Sequence, residues 1–171
     1  MKRRKFKLVG RGRASEGPSA MKTAPGQCNV TALRKASRRI SQLYDTIMAP
    51  SGLRSTQRTI LAQIQRHGAS TMGDLAEALV LDRSALAHNL KPLERDGLIE
   101  IVVDNEDRRS RRVKITKRGL AKLNVSVEGW QTAQRCFETA VGSKEATALR
   151  SVLATISSAE FAEKFDHALR S

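Results

Sequence analysis

Apolar residues recur at helical spacing along most of the chain, and a short central segment alternates at strand spacing instead. The first apolar stripe predicts a helix over 29–48, which the Pro-Ser-Gly segment at 50–52 ends. A second helix is predicted to start at Ser55, taken as its N-cap, and to end at Gly68. Each stripe covers one face, so both helices are expected to pack that face against other elements.

Two short helices separated by a tight turn are predicted next. A capping box that starts at Thr71 begins the first helix, and the turn falls at Val80-Leu81. Asp82 is the expected cap of the second helix, and Gly97 ends it. The residues of this second helix that are expected to face the core are Leu86, Leu90 and Leu93.

A strand pair follows, predicted over 98–103 and 113–116 and joined by a loop crowded with charge. Ile99, Ile101 and Val103 are expected on one face of the first strand. Helix, turn, helix and basic hairpin together predict a winged helix-turn-helix. In that arrangement the second helix enters a DNA major groove, and the hairpin reaches phosphates or a minor groove.

The rest of the chain predicts a long helix after Thr116 and, beyond Gly142, a last helix that Ser143 caps. Their apolar positions include Leu120, Leu123, Val127, Trp130, Phe137, Val141, Leu149, Val152, Leu153, Ile156 and Phe165. The predicted fold class is mainly α with a small β-wing. The lobe between the terminal helices is small, so their apolar stripes need a partner. Self-association is the simplest answer, and packing within one chain is the alternative.

The charge is concentrated at one end. The chain has 171 residues and a formal net charge of +14, which indicates a polyanionic partner. Residues 1–26 hold eight Lys or Arg and one Glu, about half of that excess. We interpret 1–27 as a disordered, solvated basic tail. A DNA-backbone arm, or a start of translation at Met21, is the alternative.

Other classes of protein find little support in the sequence. No apolar run approaches the ~20 residues that span a bilayer, and no secretory signal is visible. Two cysteines are too few for a disulfide scaffold, so a reducing cytosol is expected. The sequence has no nucleophile elbow, phosphate-binding glycine loop or paired-carboxylate site, and its histidines lack metal-ligand spacing. We therefore expect no enzyme, no cofactor and no metal.

Three phrases in the centre of the chain carry a resemblance to a known family. They are Leu81-Asp82-Arg83-Ser84 with its continuation from Asn89 to Ile99, then Glu106-Asp107-Arg108-Arg109, and then Val113-Lys114-Ile115-Thr116-Lys117-Arg118-Gly119. In this order and spacing the chain closely resembles the MarR family of bacterial transcriptional regulators, over roughly 33–168. The resemblance implies a MarR-like domain over 28–171. Its DNA-binding lobe spans 53–116, and dimerisation helices at 29–48 and 117–169 build a homodimer.

The candidate DNA-binding residues fall in two groups. In the second helix of the reader they are Arg83, Ser84, His88, Asn89 and Lys91. Ser84 and Lys91 suit phosphates, while Arg83 suits guanine and Asn89 adenine. The alternative for His88 is a solvated side chain that touches DNA without a specific contact. In the wing they are Arg108, Arg109, Arg111 and Arg112, since flat, weakly hydrated guanidinium groups suit a narrow minor groove. The resemblance implies that Asp107 pairs with a wing arginine and orients it, whereas Asp104 and Glu106 are expected to be surface charges.

Two modes of sensing are open. Cys28 and Cys136 fall where the organic-hydroperoxide sensors of the family place a reactive and a resolving cysteine, and Ala36-Ser37-Arg38 and Tyr44 also resemble that branch. The alignment is offset, because the reactive position falls on Val30, and Ser55 lies where a second tyrosine is expected. One exposed and one inert cysteine is the alternative. The other mode is an aromatic acid in a crevice lined by Arg38, Tyr44, Met48 and Trp130, for which plain core packing is the alternative.

The sequence thus predicts a homodimeric, sequence-specific DNA-binding regulator of the bacterial cytosol, associated with the nucleoid when bound. Its partner is double-stranded DNA at a pseudo-palindromic operator. The resemblance implies a repressor, released by a small aromatic ligand or by thiol oxidation. The alternatives are a non-specific DNA-coating protein and a winged-helix module that binds another protein.

Overall fold

Helices enclose a small antiparallel sheet in the central part of the chain. The computed structural model describes residues 28–104 and 107–171, so the predicted tail at 1–27 and Glu106 lie outside the described residues. The helices are α1 (Asn29–Met48), a 3-10 turn (Ala49–Ser51), α2 (Ser55–His67), α3 (Met72–Ala78), α4 (Arg83–Arg95), α5 (Lys117–Val141), α6 (Ser143–Ile156) and α7 (Ala159–Arg170). The strands are β1 (Ser70–Thr71), β2 (Ile99–Val103) and β3 (Arg111–Ile115). The mainly helical fold with a small β-wing is confirmed.

Contacts between Cα atoms divide the chain into two units, one ending at Ala36 and one covering Ser37–Ser171. The described part of the first unit is the start of α1, where Val30 and Leu33 are exposed. The second unit holds the hydrophobic core. In the described ranges, no helix is long and apolar enough to cross a membrane.

The core of the second unit lies where α2, α3 and α4 meet the sheet and α5. Its buried members include the predicted inward residues of α4, together with Leu61, Ile64, Leu75, Val113 and Leu123. Each fully buried aliphatic side chain of this size stabilises the fold by about 1.5–3 kcal/mol. This apolar layer holds α4 against the sheet and leaves its opposite face in solvent.

Backbone caps set the geometry of the helix-turn-helix. Thr71 and Asp82 cap α3 and α4 as predicted, with the Asp82 Oδ1 accepting from the Ala85 N–H at 2.7 Å. Between these helices Val80 has a φ of +52°, in the left-handed region. The Val80 and Leu81 N–H groups donate back to the last turn of α3, which is a Schellman motif with Val where Gly is usual. These hydrogen bonds offset the strain at Val80.

The start of α2 differs from the prediction. Arg54, and not Ser55, is the N-cap, and the Gln57 side chain accepts from its N–H at 3.0 Å. The Ser55 N–H instead donates to Asp45 Oδ1 at 2.6 Å. The expected cap therefore lies one residue into the helix, where Ser55 lines a cleft described below.

The sheet has the order β1-β3-β2. β2 pairs with β3 in the register Ile99↔Ile115 to Val103↔Arg111, as the hairpin predicts. β1 was not predicted, because two residues carry no periodic signal. Ile99 is buried, whereas Val103, expected on the same face of β2, is 43% exposed, since the hairpin extends past the helices that cover Ile99.

The C-terminal end of the chain also differs from the prediction of a single last helix. α6 ends at Ile156, and α7 begins after Ser158, whose Oγ accepts from the Phe161 N–H at 3.2 Å. Gly142 is the N-cap of α6 in place of Ser143. The large apolar side chains that α6 and α7 leave exposed are Leu149, Val152, Leu153, Ile156, Phe161, Phe165 and Leu169.

Candidate nucleic-acid interface

One face of α4 is exposed to solvent and is available to bind another molecule. Three leucines at helical spacing bury the opposite face, so side chains about half a turn away point to solvent. Ser84, His88 and Lys91 lie on that outward face and are exposed. Hydroxyl, imidazole and ammonium groups in this arrangement suit phosphates and base edges. Three of the predicted contacts therefore share one surface.

The other two predicted residues of α4 lie off this face. Arg83 is exposed at the first turn, on its flank. Asn89 is half-buried and faces the side of α4 that adjoins α2. The neighbour of a residue on a helix points about 100° away, so Asn89 is turned from the direction of His88 toward α2.

Arg95 extends the outward face by one more turn and was not predicted. It follows His88 by seven residues, and this spacing was the signal available in the sequence. Its Nε donates to Asp96 Oδ1 at 2.9 Å, and this contact lowers the pKa of the Asp96 carboxyl below its ordinary value. Because both side chains are exposed, DNA phosphate can compete with Asp96 for the guanidinium.

The wing closes through its own backbone. The Asp104 N–H donates to the Ser110 carbonyl at 3.0 Å, and the Ser110 N–H donates to the Asp107 carbonyl at 2.8 Å. Asp107 Oδ1 accepts from the Arg109 N–H at 2.9 Å, so this carboxylate orients the turn through the backbone. Arg108, Arg109 and Arg111 are exposed around it.

Arg112 and Asp104 differ from these neighbours. Asp104 was expected to be a surface charge, but it is only 6% exposed. Its Oδ2 accepts from Arg112 Nε at 2.6 Å, because the hairpin brings the two ends of the loop together. Arg112 Nη1 also donates to the Ala69 carbonyl at 3.0 Å. Arg112 is thus engaged in contacts within the protein, in contrast to the three arginines at the tip.

A separate cleft lies beside α4. Its volume is about 300 Å³, at the lower end for small-molecule sites. It is lined by Ile40, Ser41, Tyr44, Ser55, Thr56, Thr59, Ile60, Leu79, Leu81 and Asn89. The Ser55 Oγ is buried with no hydrogen-bond partner among the described residues. A buried hydroxyl without a partner costs free energy, so a group that reached it would gain a hydrogen bond.

Only Tyr44 of the four predicted pocket residues lines this cleft. Its hydroxyl donates to Gln134 Oε1 at 3.0 Å, and burial followed by the charge of Glu138 raises its pKa. Met48 is 1% exposed and belongs to the core, and Trp130 packs against the core under the Arg58 guanidinium, 4.3 Å from its ring centre. Arg38 is not among the lining residues.

Both cysteines are exposed free thiols. In the first unit, Thr31 Oγ1 donates to Cys28 Sγ at 3.2 Å. This hydrogen bond, followed by one from the Thr31 backbone, lowers the pKa of the Cys28 thiol. Cys136 lies on α5 in the other unit.

Comparisons with known proteins return transcriptional regulators. The family model described as "MarR family" matches residues 51–110. The M. tuberculosis regulator MosR, solved in complex with DNA, is 33% identical with a TM-score of 0.72, and the match covers 80% of this chain and 98% of that one. The repressor CouR, bound to a 23-mer DNA duplex, is 26% identical with a TM-score of 0.69, over 77% and 94% of the two chains. The regulator PecS of Dickeya dadantii is 28% identical, over 72% of this chain and 76% of its own.

These relatives are regulators and not enzymes, and their agreement with the winged-helix geometry extends over most of the molecule. The chain therefore belongs to the MarR family and is a DNA-binding transcriptional regulator.

Proposed function

We propose that the chain is a homodimeric repressor that binds a pseudo-palindromic operator. Each subunit would place α4 in a major groove and the tip of its wing at the adjacent minor groove or phosphates. The observation that carries this proposal is the exposed face of α4, with Ser84, His88 and Lys91, next to a hairpin that exposes three arginines. Two-fold symmetry requires half-sites about one helical turn apart, roughly 10 bp. The similarity to the repressor CouR supports the direction of control.

The homodimer is supported by the exposed apolar side chains of the C-terminal helices. Val152 and Phe165 are 55% and 65% exposed, although both belong to amphipathic helices. A contiguous apolar surface of this kind marks an interaction site in a soluble protein. A second copy presents the same surface, so a two-fold contact covers both at once.

Release by a small aromatic ligand is the mode of sensing that the cleft supports best. The cleft is mainly apolar, and its wall includes Ser55, whose hydroxyl is buried without a hydrogen-bond partner among the described residues. Asn89 belongs both to its wall and to α4. A ligand that enters the cleft would displace α4 and change the distance between the two recognition helices. Operator binding would weaken, because both half-sites are engaged together.

Thiol oxidation is a second mode, favoured by the contact of Cys28 with Thr31. Since a thiolate is the reactive form, we expect the rate of Cys28 alkylation to reach its midpoint at a pH below the ordinary thiol value. Thr31→Val removes the donor and should move that midpoint upward. The measurement is a pH profile of iodoacetamide labelling, with Cys136→Ser as the background. A midpoint at the ordinary value that Thr31→Val leaves unchanged would contradict an activated thiol.

Operator binding tests the function as a whole. The purified protein is footprinted on genomic fragments that flank its own gene, at moderate salt, with and without aromatic acids, organic hydroperoxide and reductant. A protected pseudo-palindrome supports the proposal, and the compound that removes the protection identifies the mode of sensing. Uniform protection of any duplex would support the DNA-coating alternative, and weak binding to every fragment would support a protein-interaction module.

The Arg109→Ala variant tests the wing. Arg109 is exposed at the tip, so its loss should weaken operator binding several-fold and lower the slope of log affinity against log salt by about one. Lys164→Ala is the matched control, because it removes one cation from α7, where Lys164 pairs with Glu160. Equal slopes for wild type and Arg109→Ala would count against contact between the wing and DNA.

A further inference from the structure

Arg112 joins three parts of the DNA-binding lobe. It lies on β3, where it is paired with Val102 of β2 and with Thr71 of β1. Its guanidinium donates to Asp104 at the base of the wing loop and to the carbonyl of Ala69, the residue that precedes β1. These contacts link the wing to the segment between α2 and α3, 43 residues away along the chain.

The burial of Asp104 makes this contact specific. A carboxylate that is 6% exposed loses most of its hydration, and it is tolerated in the ionised form only when a cation and hydrogen bonds replace the water. Arg112 supplies both in a fixed fork, which a point charge on a flexible stem does not reproduce. The pair therefore favours one arrangement of the loop ends over others.

The position of the pair relates it to the wing. Asp104 begins the loop and Arg112 follows its last residues, with the Asp104 N–H bonded to Ser110 as well. The exposed arginines lie between these two anchors, so their approach to DNA depends on how the loop is held. The exposed arginines of the tip and the charges that hold the loop are different residues.

We propose that Asp104 and Arg112 are positioning residues for DNA binding. Their ion pair, tied to Ala69, aims Arg108, Arg109 and Arg111 at the DNA backbone without contacting it. The inference rests on the proposed contact between the wing and DNA. It assigns Arg112 a role different from the direct DNA contact that the sequence suggested.

Two variants test this role while keeping every cation of the wing. Asp104→Asn retains the shape of the side chain and raises the net charge by one, so simple electrostatics predicts equal or tighter DNA binding. Arg112→Lys retains the charge but loses the planar fork whose Nε and Nη1 engage Asp104 and Ala69. The positioning role predicts at least a fivefold loss of operator affinity in both, with a salt slope lowered by about one or more. When a variant keeps every cation, a lower slope of log affinity against log salt shows that other cations have lost their contacts with phosphates.

Asp96→Asn is the matched control, because it removes a carboxylate from an exposed pair on the same lobe. It should bind DNA as tightly as wild type, or more tightly. Affinities are measured by fluorescence anisotropy over a salt series. Stoichiometric titration gives the active fraction of each variant, and thermal melting shows whether it is folded. If Asp104→Asn does not fold at the assay temperature, Arg112→Lys decides the question.

The outcomes distinguish the positioning role from the contact between the wing and DNA on which it rests. Weaker binding and a lower slope in both variants, with Asp96→Asn binding no more weakly than wild type, would support the positioning role. Wild-type affinity or an unchanged slope would overturn it, provided that Arg109→Ala lowers the slope. If Arg109→Ala also leaves the slope unchanged, contact between the wing and DNA fails first, and the positioning role falls with it.

Discussion

Leu153→Glu is expected to convert the protein into a monomer and to lower operator affinity about 100-fold or more. Leu153 lies on α6 among the exposed apolar side chains and is 38% exposed, so the change leaves the core of the subunit intact. In a dimer it would bury two unpaired carboxylates at a two-fold contact, which is strongly unfavourable. The loss of affinity follows because one subunit then binds one half-site without the effective concentration that the other provides.

The measurement is molar mass by light scattering, combined with operator binding at the same concentrations. Ser151→Glu is the control, since it adds the same charge to an exposed position on another side of α6. A Leu153→Glu protein that remains dimeric and binds with wild-type affinity would show that α6 does not form the dimer contact.

The second large effect is expected at Gly119, at the start of α5. The Thr116 N–H donates to the Leu98 carbonyl at 3.1 Å, and a Cβ on Gly119 would collide with that same carbonyl oxygen. Gly119→Ala therefore forces α5 away from the base of the wing. We expect the free energy of unfolding to fall by about 1–3 kcal/mol. The melting temperature should then fall by roughly 3–10 °C.

Gly73→Ala is the matched control, because the same added methyl would meet its neighbours at 3.6 Å, an ordinary contact distance. Both variants are melted at one protein concentration, since dimer formation makes the melting temperature depend on it. Equal melting temperatures for the two variants would mean that α5 moves at little cost, and that its junction with the wing is loose.

The local elements of the fold were predictable because their signals are local. Thr71 and Asp82 are short polar side chains placed directly before an apolar stripe, and a cap needs nothing more. The apolar stripe of α4 likewise identified its buried leucines. The break between α6 and α7 was missed because the apolar spacing runs through it, and a serine pair interrupts a helix less visibly than proline does.

The site was predictable where it depends on one helix face and not where it depends on contacts between distant segments. The outward positions of His88 and Lys91 follow from the helical period, whereas the position of Asn89 depends on the packing of α2 against α4. The partner of Asp104 also depends on tertiary structure. Asp104 was expected to be a surface charge, as Glu106 was. Asp104 is buried, because the register of β2 with β3 brings it beside Arg112.

Asn89 forms part of the cleft wall, while Lys91 projects from the opposite side of the same helix. A helix is only about 10 Å across, so under the proposed function the signal travels no further than its width. In that proposal the choice of effector depends on side chains of α1 and α2, and the choice of operator depends on the far side of α4. Substitutions would then change the chemical that the regulator detects without changing the genes that it controls. Asn89 would be the position at which the two kinds of specificity constrain each other.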